Sequence, residues 1–337
     1  MNQEYTHRLK KIEDELERWL PSKLSGNEKT LAEHIFHGTG KKANAESINF
    51  LMEPCGELLY RGGKRWRPLL MTLVCESLGG GDSALPLSPL VEFSHNASLI
   101  HDDIEDQSGE RRGKPAVHKI YGVDTAINSG SFFYFLASCC IEKCNLKNKE
   151  QIYKLWLDVM RNLHLGQAMD INWHRNVSIV PEIEEYFLMC RMKTGSLAFL
   201  AASLGSLAAD SSQETMLRLS GAAEMTGVGF QILDDVKNLT TGIPGKKRGD
   251  DVVEGKKSLP VLLYMHKFPE KREKIFHCFK AAGEIGINAP EVEELMEILK
   301  NSGVLEEAEE KGRIILKETG DIFGSYNLLA NFTGLIS

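Results

Sequence analysis

The chain has 337 residues, of which 42% are hydrophobic and 26% are charged, and this composition excludes intrinsic disorder. Its 40 Lys and Arg residues against 47 Asp and Glu residues give a formal net charge of −7, which argues against a nucleic-acid-binding protein. The 7 cysteines include no CxxC pair and no Cys/His cluster with zinc spacing, so we expect reduced, buried thiols.

Apolar residues recur at three- and four-residue steps along almost the whole chain, which predicts an all-α protein. The predicted helices span residues 4–20, 46–61, 67–79, 88–107, 116–144, 150–172, 181–209, 213–240, 258–265, 270–281, 290–301 and 303–330. Long helices joined by short loops are typical of a packed bundle whose core can hold a ligand. We expect residues 1–45 to form an N-terminal helical extension and residues 46–337 to form a single domain.

The N-terminal residues are charged and contain no apolar signal-peptide core, which predicts a cytoplasmic protein. The most apolar segment, residues 195–209, is too short and too rich in small residues to cross a membrane. We therefore expect a buried core helix there and no stable insertion into a membrane.

Several groups of cations lie beside glycines. They are Lys64, Arg65 and Arg67 after two glycines, Arg111 and Arg112, Lys193, residues 246–248, and Lys256. The arginine fork matches phosphate oxygens, and lysine supplies a mobile point charge. A single group of this kind is usually a solvated surface. The glycines favour a ligand site, because they allow the backbone to approach a bound molecule closely.

The first acidic motif, residues 102–106, reads DDIED and follows an apolar helical stretch. Asp102 and Asp106 are four residues apart and share one helix face, with Asp103 beside them. Carboxylates gathered on an inward face repel one another unless a positive charge lies between them. Mg²⁺ prefers such oxygen ligands and is commonly shared with substrate phosphates.

A second acidic motif begins 132 residues later with Asp234 and Asp235, and Asn238 takes the place of its last carboxylate. One such motif alone could be a solvated acidic patch, because short motifs match often by chance. Two motifs on apolar helices, together with several cation groups, favour a site that binds metal ions and diphosphate.

These motifs resemble those of the polyprenyl synthetases, most closely the eukaryotic type of geranylgeranyl diphosphate synthase. The similarity is carried by HNASLIHDDIEDQSGERRGKPAVHKIYG, LHLGQAMDINW, KTGSL, GFQILDDVKNL and DDVVEGKKSLP, and it spans roughly residues 50 to 265. The resemblance implies a bundle of long antiparallel helices around a deep central cavity. It also implies condensation of isopentenyl diphosphate with an allylic diphosphate, and at least a homodimer.

The resemblance also implies a role for each matching residue. Two Mg²⁺ ions are expected on Asp102, Asp103 and Asp106, and a third on Asp234 and Asp235. The allylic diphosphate is expected to contact Arg111, Lys193, Thr194, Gln231, Lys246 and Lys256. Isopentenyl diphosphate is expected to contact Lys64, Arg67, His95 and Arg112. The catalytic group comprises Asp102, Asp103, Asp106, Arg111, Lys193, Asp234 and Lys246.

Product length depends on how deep the cavity is. Ala97 and Ser98 lie about one turn before the first acidic motif and are small, so they do not stop a fifteen-carbon chain. The resemblance implies a floor made by Tyr134, Phe135 and His164, and hence geranylgeranyl diphosphate made from farnesyl diphosphate. The aromatic residues could instead be ordinary core residues.

Four other functions remain possible. A longer-chain polyprenyl diphosphate synthase would share every motif. A terpene cyclase would share the fold and the first acidic motif, but it would need a different second motif and no isopentenyl site. A non-catalytic subunit should have lost acidic residues, whereas both motifs are intact. A plain helical scaffold would not require like charges on interior helix faces.

Overall fold

The computed structural model describes residues 3–242, 247–326 and 332, and these residues form an all-α fold. The helices are α1 Gln3–Trp19, α2 Glu28–Ile35, α3 Ala45–Leu59, α4 Trp66–Ser77, α5 Ser88–Glu105, α6 Val117–Tyr121, α7 Val123–Lys143, α8 Lys149–Arg175, α9 Ile183–Cys190, α10 Ser196–Ala208, α11 Gln213–Thr240, α12 Asp250–Val253, α13 Leu259–Lys267, α14 Arg272–Ile285, α15 Pro290–Asn301 and α16 Val304–Gly324. Short 3₁₀ turns lie at Gly38–Lys42, Gly81–Leu87 and Pro269–Lys271. The fold class expected from the sequence is confirmed.

Two apolar cores hold the bundle together. The first is built around α3, α4, α5, α7 and α10. The second lies between α9, the C-terminal half of α11 and α12 to α16. The helix α11 joins them, because it packs against α10 on one side and α16 on the other. This arrangement leaves the ends of α5, α8 and α11 facing one another between the two cores.

The N-terminal segment forms two helices rather than one. Ile12, Leu16 and Leu20 are fully buried and belong to the first core. The helix α2 packs against α3. Both helices therefore share their packing with the rest of the chain, and the boundary placed at residue 45 stays a prediction.

The continuous helix expected at 116–144 is broken into α6 and α7 at Gly122, where φ is +88°. A residue with this backbone angle cannot continue a right-handed helix. The helix expected at 181–209 contains a π-turn at Arg191–Gly195 between α9 and α10. Among the described residues, no helix is both long enough and apolar enough to cross a membrane.

Candidate active site

A cavity of about 540 Å³ opens between the two cores. It is lined by residues of α4, α5, α7 to α11 and the 251–258 segment. Most of the site residues predicted from the sequence line this one cavity: Arg67, His95, Ser98, Asp102, Arg111, Arg112, Tyr134, His164, Lys193, Thr194, Gln231, Asp234, Asp235 and Lys256. Residues up to 189 positions apart in the sequence are therefore brought together, from Arg67 to Lys256.

Five predicted site residues within the described part of the chain do not line the cavity. Asp103 and Asp106 are buried directly behind the cavity wall and hold cations that line it. Lys64 is exposed and does not line the cavity. Lys246 lies outside the described residues. Ala97 is fully buried in the first core, and Phe135 is 68% exposed on the outer face of α7.

The first acidic motif lies at the C-terminal end of α5, and its carboxylates are held by cations from across the cavity. The Nε of Arg111 donates to Oδ1 of Asp103 at 2.7 Å, and its Nη2 lies 3.2 Å from Oδ2 of Asp102. Nζ of Lys256 donates to Oδ2 of Asp106 at 2.9 Å. Burial alone would lower the pKa of Lys256, but Glu254 and Asp106 raise it well above its ordinary value.

A two-stranded hairpin places the two arginines. Its strands are β1 Glu110–Arg111 and β2 Lys114–Pro115, and Arg111 pairs with Lys114 across it. The turn between them consists of Arg112 and Gly113, with φ values of 53° and 74°. A two-residue turn with both φ values positive is the type that matches strand twist. It sends Arg111 to the carboxylates and Arg112 to α3 and α5.

The π-turn after α9 presents Lys193 and Thr194. Nζ of Lys193 lies 2.5 Å from Oδ2 of Asp170 and 3.3 Å from Oδ1 of Asp102. Burial lowers the pKa of Lys193, but the two carboxylates outweigh it and raise the pKa above its ordinary value. A π-turn inserts one extra residue into a helix and is frequent at functional sites. Gly166 of α8 makes room for it, because a Cβ there would lie 2.5 Å from the backbone N of Lys193.

The second acidic motif lies on α11, facing the first. Both oxygens of Asp235 accept hydrogen bonds, from the hydroxyl of Tyr186 at 2.7 Å and from Nε2 of Gln231 at 2.8 Å. Burial, together with the nearby Asp251, raises the pKa of Asp235 to about 7. Oε1 of Gln231 accepts a hydrogen bond from Thr194 at 2.9 Å, which links the motif to the π-turn.

Asn238 is 1% exposed and has a local structural role. Its Oδ1 accepts a hydrogen bond from the backbone N of Asp251 at 3.2 Å, and its backbone oxygen accepts one from Gly249 at 2.9 Å. These bonds tie α11 to the start of α12. The amide therefore anchors the segment that carries Asp251 and Lys256.

The acidic donor set is suited to Mg²⁺. Within residues 3–242 and 247–326, no three His, Cys, Asp or Glu side chains already form a cation site. The carboxylates instead contact Arg111, Lys193 and Lys256. Oδ1 of Asp106 is buried without a hydrogen-bond partner among the described residues, and it lies one turn from Asp102. These hard oxygen donors fit the ion that the resemblance implies.

A second group of cations in the same cavity consists of Arg67 and Arg112, near His95. The guanidinium of Arg67 stacks on the ring of Trp66 at 4.4 Å, and its Nε is buried without a partner among the described residues. Burial, with the charges of Arg67 and Arg112, lowers the pKa of His95 well below its ordinary value. His95 is therefore neutral at physiological pH, while the two arginines supply the charge.

Three neighbouring rings, those of His101, Tyr134 and His164, line the cavity. Tyr134 of α7 packs between His101, at 5.7 Å, and His164, at 5.4 Å. Gly130 permits this arrangement, because a Cβ there would lie 2.8 Å from the His101 ring. Successive helix residues point about 100° apart, and Phe135, which follows Tyr134 on α7, is 68% exposed and does not line the cavity. The structure of this chain therefore gives Phe135 no part in the floor, and that part of the expectation stays a prediction.

Several residues that line the cavity were not predicted as functional, among them Gln167, Asp170, Tyr186, Asp251 and Lys257. Gln167 and Asp170 lie three residues apart on α8, and both fall in the quoted motif LHLGQAMDINW. Their spacing was a usable signal, since it places both on one helix face. No local signal marks Tyr186, whose role depends on a contact with Asp235.

The chain is similar to known proteins over most of its length. The family model described as polyprenyl synthetase matches residues 48–299. The chain belongs to the polyprenyl synthetase family. This membership confirms both the resemblance seen in the sequence and the assignment of the chain to the prenyltransferases.

Curated members of the polyprenyl synthetase family are similar over most of this chain. The short chain isoprenyl diphosphate synthase of Methanocaldococcus jannaschii is 36% identical over 250 residues, which are 73% of this chain and 75% of that protein. The geranylgeranyl pyrophosphate synthase of Neocamarosporium betae is 38% identical, over 64% of this chain and 62% of that protein. The geranylfarnesyl diphosphate synthase of Aeropyrum pernix is 32% identical, over 79% and 84% respectively.

The fold also matches a solved structure of the family. The geranylgeranyl pyrophosphate synthetase from Pyrococcus horikoshii superposes with a TM-score of 0.82 at 26% identity. The match covers 99% of this chain and 96% of that chain.

Proposed function

We propose that the protein catalyses Mg²⁺-dependent head-to-tail condensation of isopentenyl diphosphate with an allylic diphosphate. The observation that carries this proposal is that one cavity holds two facing acidic motifs and two separate cation groups. Arg111, Lys193 and Lys256 contact the carboxylates of the first acidic motif, whereas Arg67 and Arg112 lie near each other and near His95. Two diphosphates need two such groups.

The allylic diphosphate is expected between the acidic motifs. Asp102, Asp103 and Asp106 would hold two Mg²⁺ ions, and Asp234 and Asp235 a third. When bound, Mg²⁺ supplies positive charge that stabilises the diphosphate as it leaves the allylic carbon. Arg111, Lys193 and Lys256 already lie within hydrogen-bond reach of the carboxylates and are placed to donate to phosphate oxygens.

The isopentenyl diphosphate is expected at Arg67, Arg112 and neutral His95. This position would keep its double bond beside the allylic carbon, which converts a bimolecular encounter into an oriented reaction. Leu99, Leu163, Leu197 and Phe230 line the cavity and would exclude water from the allylic cation. Water would otherwise add to the cation and end the reaction as an alcohol.

The favoured product is the twenty-carbon geranylgeranyl diphosphate, made from farnesyl diphosphate. Tyr134 and His164 both line the cavity, with ring centroids 5.4 Å apart, and a floor formed by these two rings would support this product length. The names of the relatives include both geranylgeranyl and geranylfarnesyl synthases, so a longer product is the main alternative.

We also propose that the protein acts as a homodimer. The outer face of α7 exposes Val123 by 49%, Ile127 by 46% and Phe135 by 68%, and on α8 Leu165 is 55% exposed. An apolar surface of this kind, left exposed by the described residues, is suited to pairing with a second copy of itself. Light scattering after gel filtration should give twice the mass of the chain.

The function is tested by incubating the purified protein with radiolabelled isopentenyl diphosphate and dimethylallyl, geranyl or farnesyl diphosphate, with Mg²⁺ or with EDTA. Chromatography of the dephosphorylated products gives chain length. We expect a twenty-carbon alcohol that depends on Mg²⁺. Hydrocarbon products without isopentenyl incorporation would indicate a terpene cyclase, and no turnover would indicate a non-catalytic subunit.

A further inference from the structure

Glu92 is a buried carboxylate that lies outside the cavity. It is on α5, ten positions before Asp102, and is 2% exposed. Its Oε1 accepts hydrogen bonds from Nη1 of Arg65 at 2.9 Å and from Nδ2 of Asn96 at 3.0 Å. A charge buried this deeply is unfavourable unless it is paired and hydrogen-bonded, and Arg65 and Asn96 meet that need.

Arg65 is the cation that pairs with Glu92, and three nitrogens of its guanidinium donate hydrogen bonds within the protein. Nε donates to Glu13 of α1 at 2.7 Å, Nη1 to Glu92, and Nη2 to the backbone oxygen of Leu59 at 2.7 Å. Its backbone is left-handed, with φ of 47°, just before α4 begins. Such a conformation in a non-glycine residue persists only where the surroundings determine it.

The network reaches the cavity through Asn96. The amide of Asn96 donates to Glu92 through Nδ2, so its Oδ1 is left to accept from Nη1 of Arg112 at 3.4 Å. Nη1 of Arg112 also donates to the backbone oxygen of Leu58 at 3.2 Å. These two bonds hold Arg112 to acceptors on α3 and α5.

Glu92 is also the negative charge that balances this group of arginines. Burial lowers the pKa of Arg67 to about 10, Glu92 opposes that change, and Arg112 adds to it. Burial likewise lowers the pKa of Arg112, and Glu92 opposes it most strongly. Without the carboxylate of Glu92, the cations of Arg65, Arg67 and Arg112 would repel one another. Arg65 would keep its bonds to Glu13 and Leu59, so Arg67 and Arg112 are the least restrained of the three.

We propose that Glu92 is a positioning residue: through Arg65 and Asn96 it holds Arg112 and Arg67 in the geometry that receives the diphosphate of isopentenyl diphosphate. This inference rests on the proposed function, since it assigns isopentenyl diphosphate to these arginines. The allylic site has its own cations, which contact different carboxylates. The effect of losing Glu92 should therefore be confined to one substrate.

The test compares Glu92→Gln with Glu13→Gln. Both remove a charged acceptor of Arg65, but Glu13 lies on α1 and is 41% exposed at its side chain. We expect Glu92→Gln to raise KM for isopentenyl diphosphate about tenfold or more, with kcat and the KM for farnesyl diphosphate changed less than about twofold. Glu13→Gln should leave all three constants near the wild-type values. Equal effects from the two variants, or an unchanged KM in Glu92→Gln, would overturn the proposal.

The relay through Asn96 is tested with Asn96→Leu, which keeps the side-chain size and leaves the Arg65–Glu92 pair intact. It should raise the same KM, and the Glu92→Gln/Asn96→Leu double variant should be less impaired than two independent effects predict. Additive effects would contradict the relay.

Two further measurements cover the cases in which Glu92→Gln does not fold or the protein shows no turnover. If Glu92→Gln does not fold, the Arg65→Met/Glu92→Leu variant replaces the buried pair by apolar residues, which is often tolerated. It should fold and still show the raised KM. Calorimetric binding of isopentenyl diphosphate to wild type and variants requires no turnover. A wild type that binds it but does not condense it would refute the proposed function, while the affinity difference between variants still decides the role of Glu92.

Discussion

Replacing Gly166 by Ala should impair the allylic site by displacing the π-turn that carries Lys193, although the change alters no charge. Gly166 lies on α8 against the π-turn, and a Cβ there would lie 2.5 Å from the backbone N of Lys193 and 2.8 Å from Cβ of Met192. Ordinary contact begins at 3.4 Å, so the turn must move by about 0.9 Å, which is 3.4 Å minus 2.5 Å. The displaced atoms belong to the backbone and cannot rotate away.

That movement would carry Lys193 and Thr194 out of position. A misplacement of about 1 Å near reacting groups can lower a rate about a hundredfold. We therefore expect kcat/KM for farnesyl diphosphate to fall by about ten- to a hundredfold in Gly166→Ala. The KM for isopentenyl diphosphate should change little, since Arg67 and Arg112 lie on other segments.

Gly221→Ala is the matched control. Gly221 is also in a helix, α11, and a Cβ there would have no atom within 4 Å. Alanine is favoured over glycine in a helix interior by about 1 kcal/mol, so this variant should be at least as stable as wild type and fully active. Steady-state kinetics and thermal denaturation of both variants decide the matter. Wild-type kinetics in Gly166→Ala would refute the reasoning, and an equal loss in Gly221→Ala would show that the assay reports helix stability instead.

Four more predictions follow from the site. Asp102→Ala should lower condensation about a thousandfold or more, because it removes one of two carboxylates on a shared face; retained turnover at saturating Mg²⁺ would contradict the metal assignment. Arg112→Ala should raise KM for isopentenyl diphosphate by an amount equivalent to about 1.5–3 kcal/mol. Lys64 is exposed, so Lys64→Ala should raise it less. If either variant raised the KM for the allylic substrate instead, the two diphosphate sites would be assigned the wrong way round. Tyr134→Ala should yield products longer than wild type, with Phe135→Ala as the outward-facing control, and mass spectrometry of the products distinguishes them; identical products from both would place the floor elsewhere. Burial lowers the pKa of Lys257 from 10.5 to about 8, so between these pH values the folded state binds fewer protons than the unfolded state. The buried charge therefore destabilises the fold fully below pH 8, and this destabilisation disappears as the pH rises to 10.5. Lys257→Met should raise the melting temperature at pH 7 by more than it does at pH 10, and an equal shift at both pH values would refute the lowered pKa.

Helix periodicity predicted most of the fold because most helices bury one apolar face. The helices expected at 213–240 and 290–301 have those bounds in the structure. The π-turn was not predicted, because one extra residue changes neither composition nor burial pattern enough to be visible. It depends on Gly166, which lies 27 positions before Lys193 in the sequence.

The charged part of the site could be predicted because like charges on apolar helices are unusual whatever the fold. The direction of individual side chains could not. Arg65 takes a left-handed conformation that separates Lys64 from Arg67, so only Arg67 reaches the cavity. Phe135 follows Tyr134 on a helix, and the sequence does not show which face of α7 lies toward the cavity. The structure shows that Phe135 points outward.

Arg111 and Arg112 are neighbours in the chain, yet they contact different parts of the cavity. This division results from the hairpin, in which Arg111 is the last paired residue of β1 and Arg112 the first residue of the turn. Arg111 is drawn to Asp102 and Asp103, and Arg112 to Leu58 and Asn96. Two diphosphates bound to adjacent residues of one rigid turn would be held at a fixed separation, which is what an oriented condensation requires. The left-handed backbone of Arg112 is unfavourable in free energy, and the hydrogen bonds of its side chain to Leu58 of α3 and Asn96 of α5 help to stabilise it.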